Sequence, residues 1–131
     1  MVKAVNLNEL RCNFRNKAGN NRKQLFEKKE NGIRFIFNRQ SFNKIGCIKS
    51  INNSRKNGFT PEEHFKAAEN IKEYFDKSEV ISQGYENKNG VAKTYYLCRC
   101  KITENKFAWM TVVTWGNNEG YIDFYLSKDG E

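Results

Sequence analysis

Histidine is the side chain whose ordinary pKa, about 6.5, lets it trade a proton at neutral pH. This chain has one, His64, in the stretch NGFTPEEHFKAAENIKEYFDKSEV. It stands one turn inside a helix whose start is written in the residues, because Thr60 and Glu63 form a capping box and Pro61 takes the first helical position. Two readings stay open: a ring packed beside Phe59, or a proton carrier. The helix N-terminus pulls its pKa down and Glu63 pulls it up, so the local sequence leaves the net direction undecided. Cys12, Cys47, Cys98 and Cys100 contain no C-x-x-C pair, and one histidine cannot complete a Cys/His zinc pattern. No metal or other cofactor is expected. Cys98 and Cys100 are two apart in a strand-like run and are read as thiols packed on one face.

The charge of the chain is uneven. Net charge is +8, but residues 1–60 hold 14 Lys/Arg against 3 Asp/Glu, whereas residues 61–131 hold 9 against 12. Within the basic half, Lys44, Lys49, Arg55 and Lys56 lie across from the apolar repeat Phe42, Ile45, Ile48, Ile51. They suit an anion site or a solvated helix face equally well. A basic field attracts polyanions and releases their counterions, which points to nucleic acid, with an acidic protein or an anionic membrane as rivals. No apolar run approaches the roughly 20 residues that span a bilayer, and MVKAVNLNEL lacks the order of a signal peptide. A soluble cytoplasmic chain without a membrane partner is expected.

These residues need elements to hold them. Leu7, Leu10 and Phe14 predict a short helix over about residues 7–17. KQLFEKKENGIRFIFNR reads as a hairpin turning at Asn31 and Gly32, with Ile33, Phe35 and Phe37 on its buried face. Residues 42–51 read as a helix bent near Gly46. The capped stretch predicts one long helix whose stripe is Ala67, Ala68, Ile71, Tyr74 and Phe75, with His64 inside it. After residue 78 the period changes to two, and four strands follow, separated by ENKNG, TENK and GNNEG. Tyr96, Cys98, Cys100, Ala108, Met110, Val112, Ile122, Phe124 and Leu126 can share the face that meets the helix. Tyr95, Leu97, Arg99, Trp109, Thr111, Val113, Tyr121, Asp123 and Tyr125 would share the other, and Thr114 would join them if a bulge intervened. The expected fold is a single α+β domain over residues 1–131: N-terminal helices and a hairpin, then a long helix packed on a four-stranded antiparallel sheet.

The order of these elements, with KIGCIKS, the helix start FTPEEHFKAAENI and the later run YYLCRCKITENKFAWMTVVTWGNNEGYIDFYLS, resembles the small domains of phage and mobile-element polyvalent proteins. Those are assigned to the barnase/EndoU/colicin/RelE-like nuclease fold. The likeness covers about residues 33–127 as a nuclease-like core and leaves residues 1–32 as a basic N-terminal extension. It implies helices on one side of an antiparallel sheet and RNA on the other. It also implies a metal-independent endoribonuclease of a phage, mobile-element or toxin system, made in the cytoplasm or delivered within a larger toxin, with an immunity or antitoxin protein as a partner. A mechanism with two histidines is excluded, since only His64 is present.

Cleavage of RNA by its own 2′-hydroxyl, through a 2′,3′-cyclic phosphate, needs a base, an acid and cations at the phosphorane. On this resemblance His64 takes the acid/base role, Lys44 and Arg99 hold phosphate, Tyr125 moves the second proton or stacks on a base, and Thr111 or Thr114 bonds a phosphate oxygen. Lys49, Arg55 and Lys56 extend the nucleic-acid-binding surface. A non-catalytic reading uses the same inventory: a phage-encoded inhibitor, or a module that binds nucleic acid or an acidic protein.

Overall fold

The computed structural model describes residues 6–19 and 23–129. Helix α1 (Leu7–Lys17) starts at Asn6, whose side chain accepts the Glu9 N–H. Strands β1 (Leu25–Lys28) and β2 (Ile33–Ile36) form an antiparallel hairpin. The chain then runs through α2 (Arg39–Ile45), α3 (Ile48–Lys56), α4 (Pro61–Ala68) and α5 (Ile71–Lys77). Strands β3 (Glu79–Lys88), β4 (Val91–Thr103), β5 (Lys106–Trp115) and β6 (Glu119–Ser127) close the chain as an antiparallel meander. The α+β class and the four-stranded sheet agree with the sequence. No helix among the described residues is long and apolar enough to cross a membrane.

One expectation is corrected. The long helix is two short ones, because Asn70 N–H turns to the Ala67 carbonyl instead of continuing the α-helical ladder; the break lets both Ala67–Ala68 and Ile71 and Phe75 reach the core. Described parts of the N-terminal segment contribute to the core. Phe14 and Phe26 are fully buried, and they join the helices and the hairpin in a chain of rings: Phe75–Phe26–Phe37–Phe42–Phe14–Phe65–His64–Phe124, with centroids 4.7 to 5.6 Å apart. Each such pair adds about 0.5–1.5 kcal/mol beyond the area it buries. This chain of rings fastens α1, β1, the segment after β2, α2, α4 and α5 to one another and to β6.

The outer edge of β6 is where the helices meet the sheet most closely. An edge strand leaves every second amide unanswered, and here α2 and α3 answer them with hydroxyl groups. Ile122 N–H donates to Ser41 Oγ at 3.2 Å and Leu126 N–H to Ser54 Oγ at 2.9 Å, while the amide between them, Phe124 N–H, turns to its neighbour Asp123 Oδ1 at 2.8 Å. Ser50 bonds that same carboxyl oxygen. Ser41, Ser50 and Ser54 are all buried, and the Ser41 and Ser54 hydroxyls replace waters that the strand amides would otherwise require. Gly120 permits the tight end of this edge: a Cβ there would collide with the Val113 carbonyl oxygen and come within 3.0 Å of Phe35 Cβ.

Candidate nucleic-acid interface

His64 lies on the helix side of the sheet with none of its surface exposed. Its ring is stacked on Phe124 at 4.7 Å and meets the edge of Phe65 at 5.3 Å. Both nitrogens are occupied. The Ile45 carbonyl oxygen, 2.8 Å from Nε2, can only accept, so Nε2 carries the hydrogen and Nδ1 accepts from the Ser54 hydroxyl at 2.7 Å. Ser54 Oγ in turn accepts the Leu126 amide. With the ring neutral, as its burial favours, the Ser54 hydroxyl donates to Nδ1 and the line is complete. Burial pushes the His64 pKa down to about 4, with the Ile45 bond holding it up in part. The acid/base role given to His64 by the resemblance is therefore corrected: the ring touches no solvent and has no free nitrogen to offer a substrate. It joins α2, α3, α4 and β6.

The other side of the sheet is different. Directly opposed residues of antiparallel strands share a face, and the register sets them in rows: Tyr95–Val113–Tyr121, then Leu97–Thr111–Asp123, then Arg99–Trp109–Tyr125. Tyr95, Leu97, Arg99, Thr111, Tyr121 and Tyr125 all keep part of their surface in solvent. Cations stand over aromatic rings along the whole face. Lys93 Nζ lies 4.7 Å from the Trp115 ring, Lys44 Nζ 4.9 Å from Tyr121, and the Arg99 guanidinium 5.7 Å from Trp109. Arg99 also pairs with Glu79. Burial raises the pKa of both Tyr121 and Tyr125, so these phenols stay neutral at ordinary pH.

Arg99, Thr111, Tyr125 and Lys44 are thus gathered on one face, as the strand parity implies, and Lys49 on α3 is close enough to Asp123 to lower its pKa. His64 is on the opposite side from Arg99 and Tyr125. Thr114 also falls outside, since the β5–β6 pairing runs without a bulge from Phe107 to Trp115 and gives Thr114 the parity of Val112. Arg55 and Lys56 are exposed in the last turn of α3, beyond Ser54, and so past the rows of the face.

Sequence reasoning missed the corner where the helices reach the face. Asp123 is cross-strand neighbour to Thr111 and is bonded by Ser50 and by Phe124 N–H. Burial raises its pKa against the lowering effect of those bonds and of Lys44 and Lys49. Its place in the face was visible in the alternation of β6. That Ser50 and two lysines would meet it was not, because α3 is 73 residues away along the chain from Ser50 to Asp123. Compared with known proteins, the chain matches no protein-family model, no curated protein and no solved structure.

Proposed function

We propose that the open face of the β3–β6 sheet binds single-stranded RNA. One observation carries this reading: three cation-over-ring pairs, Lys93–Trp115, Lys44–Tyr121 and Arg99–Trp109, are spread over a single face that also presents Thr111 and the half-open phenols of Tyr95 and Tyr125. Unpaired bases stack on rings and phosphates settle near cations, and neither step requires a particular sequence. Duplex RNA offers no free base faces to such a surface. The net charge of +8 adds long-range attraction for any polyanion.

The test is fluorescence anisotropy with a labelled single-stranded RNA octamer, a duplex of the same length and an acidic polypeptide. Preference for the single strand, with affinity falling steeply as salt rises, supports the reading. Equal binding of the acidic polypeptide, or none of the RNA, sinks it in favour of a protein-binding adaptor.

Cleavage of the bound strand is a second reading, favoured by one feature: a half-buried carboxyl with a raised pKa beside Thr111 on the face itself. Groups with shifted pKa gather at catalytic sites. In this form the metal-independent ribonuclease implied by the barnase/EndoU/colicin/RelE-like resemblance works without His64, and the phage, mobile-element or toxin setting and an antitoxin partner remain part of the proposal. Labelled RNA incubated with the chain in EDTA would yield 2′,3′-cyclic phosphate ends; intact RNA after prolonged incubation leaves a binder only.

A further inference from the structure

β3 is the outer strand farthest from β6, and among the described residues none of its backbone groups bonds anything beyond its pairing with β4. An outer strand left in this way presents every second N–H and C=O to whatever can pair with it. β3 is ten residues long, has no proline, and holds Ile81 and Tyr85 in solvent, 42% and 79% exposed. With Val91 at the start of β4, three of the four large apolar side chains that are exposed among the described residues lie on this one hairpin. The bulge and the charges of β3 are of the kind that deter pairing with a stranger. With a second β3 they match.

Nine residues of β3 pair with β4, and Ile81 is the one left out, at the bulge between Val80 and Ser82. Opposed residues share a face, so Glu79, Ser82, Gly84, Glu86 and Lys88 belong to the open face of the sheet, with Arg99, Leu97 and Tyr95. A second β3 laid antiparallel about a two-fold axis normal to the sheet brings like face to like face. Counted without the bulged residue, the midpoint of the strand is Gly84. Full-length pairing about that glycine sets Glu79 of one copy opposite Lys88 of the other, twice by symmetry. It sets Ser82 opposite Glu86, and no like charges meet. On the helix side the two Tyr85 rings become diagonal neighbours across the axis, within the reach of aromatic side chains. Moving the axis to Glu86 would instead oppose the two Glu86 carboxylates and leave Glu79 unpaired.

We propose that two copies of this chain dimerise through β3, in register about Gly84, so that their four-stranded sheets continue into one antiparallel sheet. The axis sets the open faces of both copies on the same side. The pairing does not depend on the RNA reading, since its contacts are the β3 backbone, Tyr85 and the two Glu79–Lys88 pairs.

The test is sedimentation equilibrium of the whole chain over a concentration series. The wild type should pass from monomer to dimer and stop there. Tyr85→Lys alters a side chain that is 79% exposed in the monomer, so it should keep the fold by circular dichroism while raising the dimer Kd about tenfold or more. Glu79→Lys and Lys88→Glu each oppose like charges at both ends of the interface and should each weaken the dimer about tenfold. A one-to-one mixture of these two variants opposes unlike charges again and should recover the wild-type Kd. Glu79 also pairs with Arg99 in its own chain, so Lys88→Glu, which leaves that pair in place, reads the interface alone. A wild type that stays monomeric throughout the series, a dimer indifferent to Tyr85→Lys, or a mixture no tighter than its components overturns the proposal.

Discussion

The two faces of the sheet each hold one titratable group that matters, and they treat it in opposite ways. His64, on the helix side, has rings above and beside it and a partner on each nitrogen. Asp123, on the other side, accepts from Ser50 on α3 and from the Phe124 amide while the row of Leu97 and Thr111 beside it stays partly in solvent. Both are pushed toward their neutral forms by burial. The histidine is neutral because burial disfavours its charged form, against the pull of the Ile45 bond. The aspartate is shifted while part of its surroundings still meets water. A shifted pKa leaves a group able to exchange its proton only where it retains a route to solvent.

The largest expected effect comes from breaking the closed side. His64→Ala removes a ring from the aromatic chain and leaves the Ser54 hydroxyl hydrogen and the Ile45 carbonyl without their shared partner, so urea unfolding should show a loss of about 3 to 5 kcal/mol. RNA affinity of the folded variant should not change; an intact fold with lost binding would erase the contrast between the faces.

Acid offers a second way in. The folded pKa of His64, about 4, lies below its unfolded value, so between the two the unfolded chain binds more protons. This contribution is complete above about pH 6.5 and drains away as pH falls toward 4, amounting to about 3 kcal/mol at most. Asp123, with its pKa raised, acts in the opposite sense, losing stability as pH rises. The difference between wild type and His64→Gln at pH 7 and pH 4.5 isolates the histidine.

On the open side, Tyr121→Ala should weaken the RNA octamer by about 1 to 3 kcal/mol if a base stacks there. Replacing Lys49 by alanine should cost less and lower the salt slope of binding by about 0.7, the share of one phosphate on a single strand. Arg55→Ala and Lys56→Ala, beyond the face, should stay within about 0.5 kcal/mol in both binding and stability. A loss there as large as that of Lys49 would extend the interface along α3.

What could be read from the sequence was whatever a local period or a cap controls. The capping box of Thr60 and Glu63 is formed as written, with Thr60 N–H donating to Glu63 Oε1 at 2.9 Å and Glu63 N–H to Thr60 Oγ1 at 3.1 Å. The alternation of β4 to β6 sorted both faces correctly, and with them Arg99, Thr111 and Tyr125. The two Asn-Gly pairs show where local reading stops. Asn89 and Gly90 both take positive φ, 53° and 78°, in the two-residue turn between Lys88 and Val91. Asn31 and Gly32 instead end a 3-10 turn begun at Lys29, where only the glycine is left-handed. The same dipeptide thus gave two turns, because strand pairing from Lys28 to Ile33 leaves four residues to be spanned rather than two. The corner at Asp123 was out of reach for a related reason: it depends on how α2 and α3 dock on a strand that comes late in the chain.

The hydroxyls along β6 have one more consequence, for association. That margin of the sheet has its amides spoken for by α2, α3 and Asp123, whereas β3 at the opposite margin has a strand on one side only. A fibre needs two adhesive borders on every molecule so that each newcomer presents another. Among the described residues the four-stranded sheet has a single such border, so a union of copies through this sheet joins β3 to β3 and ends with the pair.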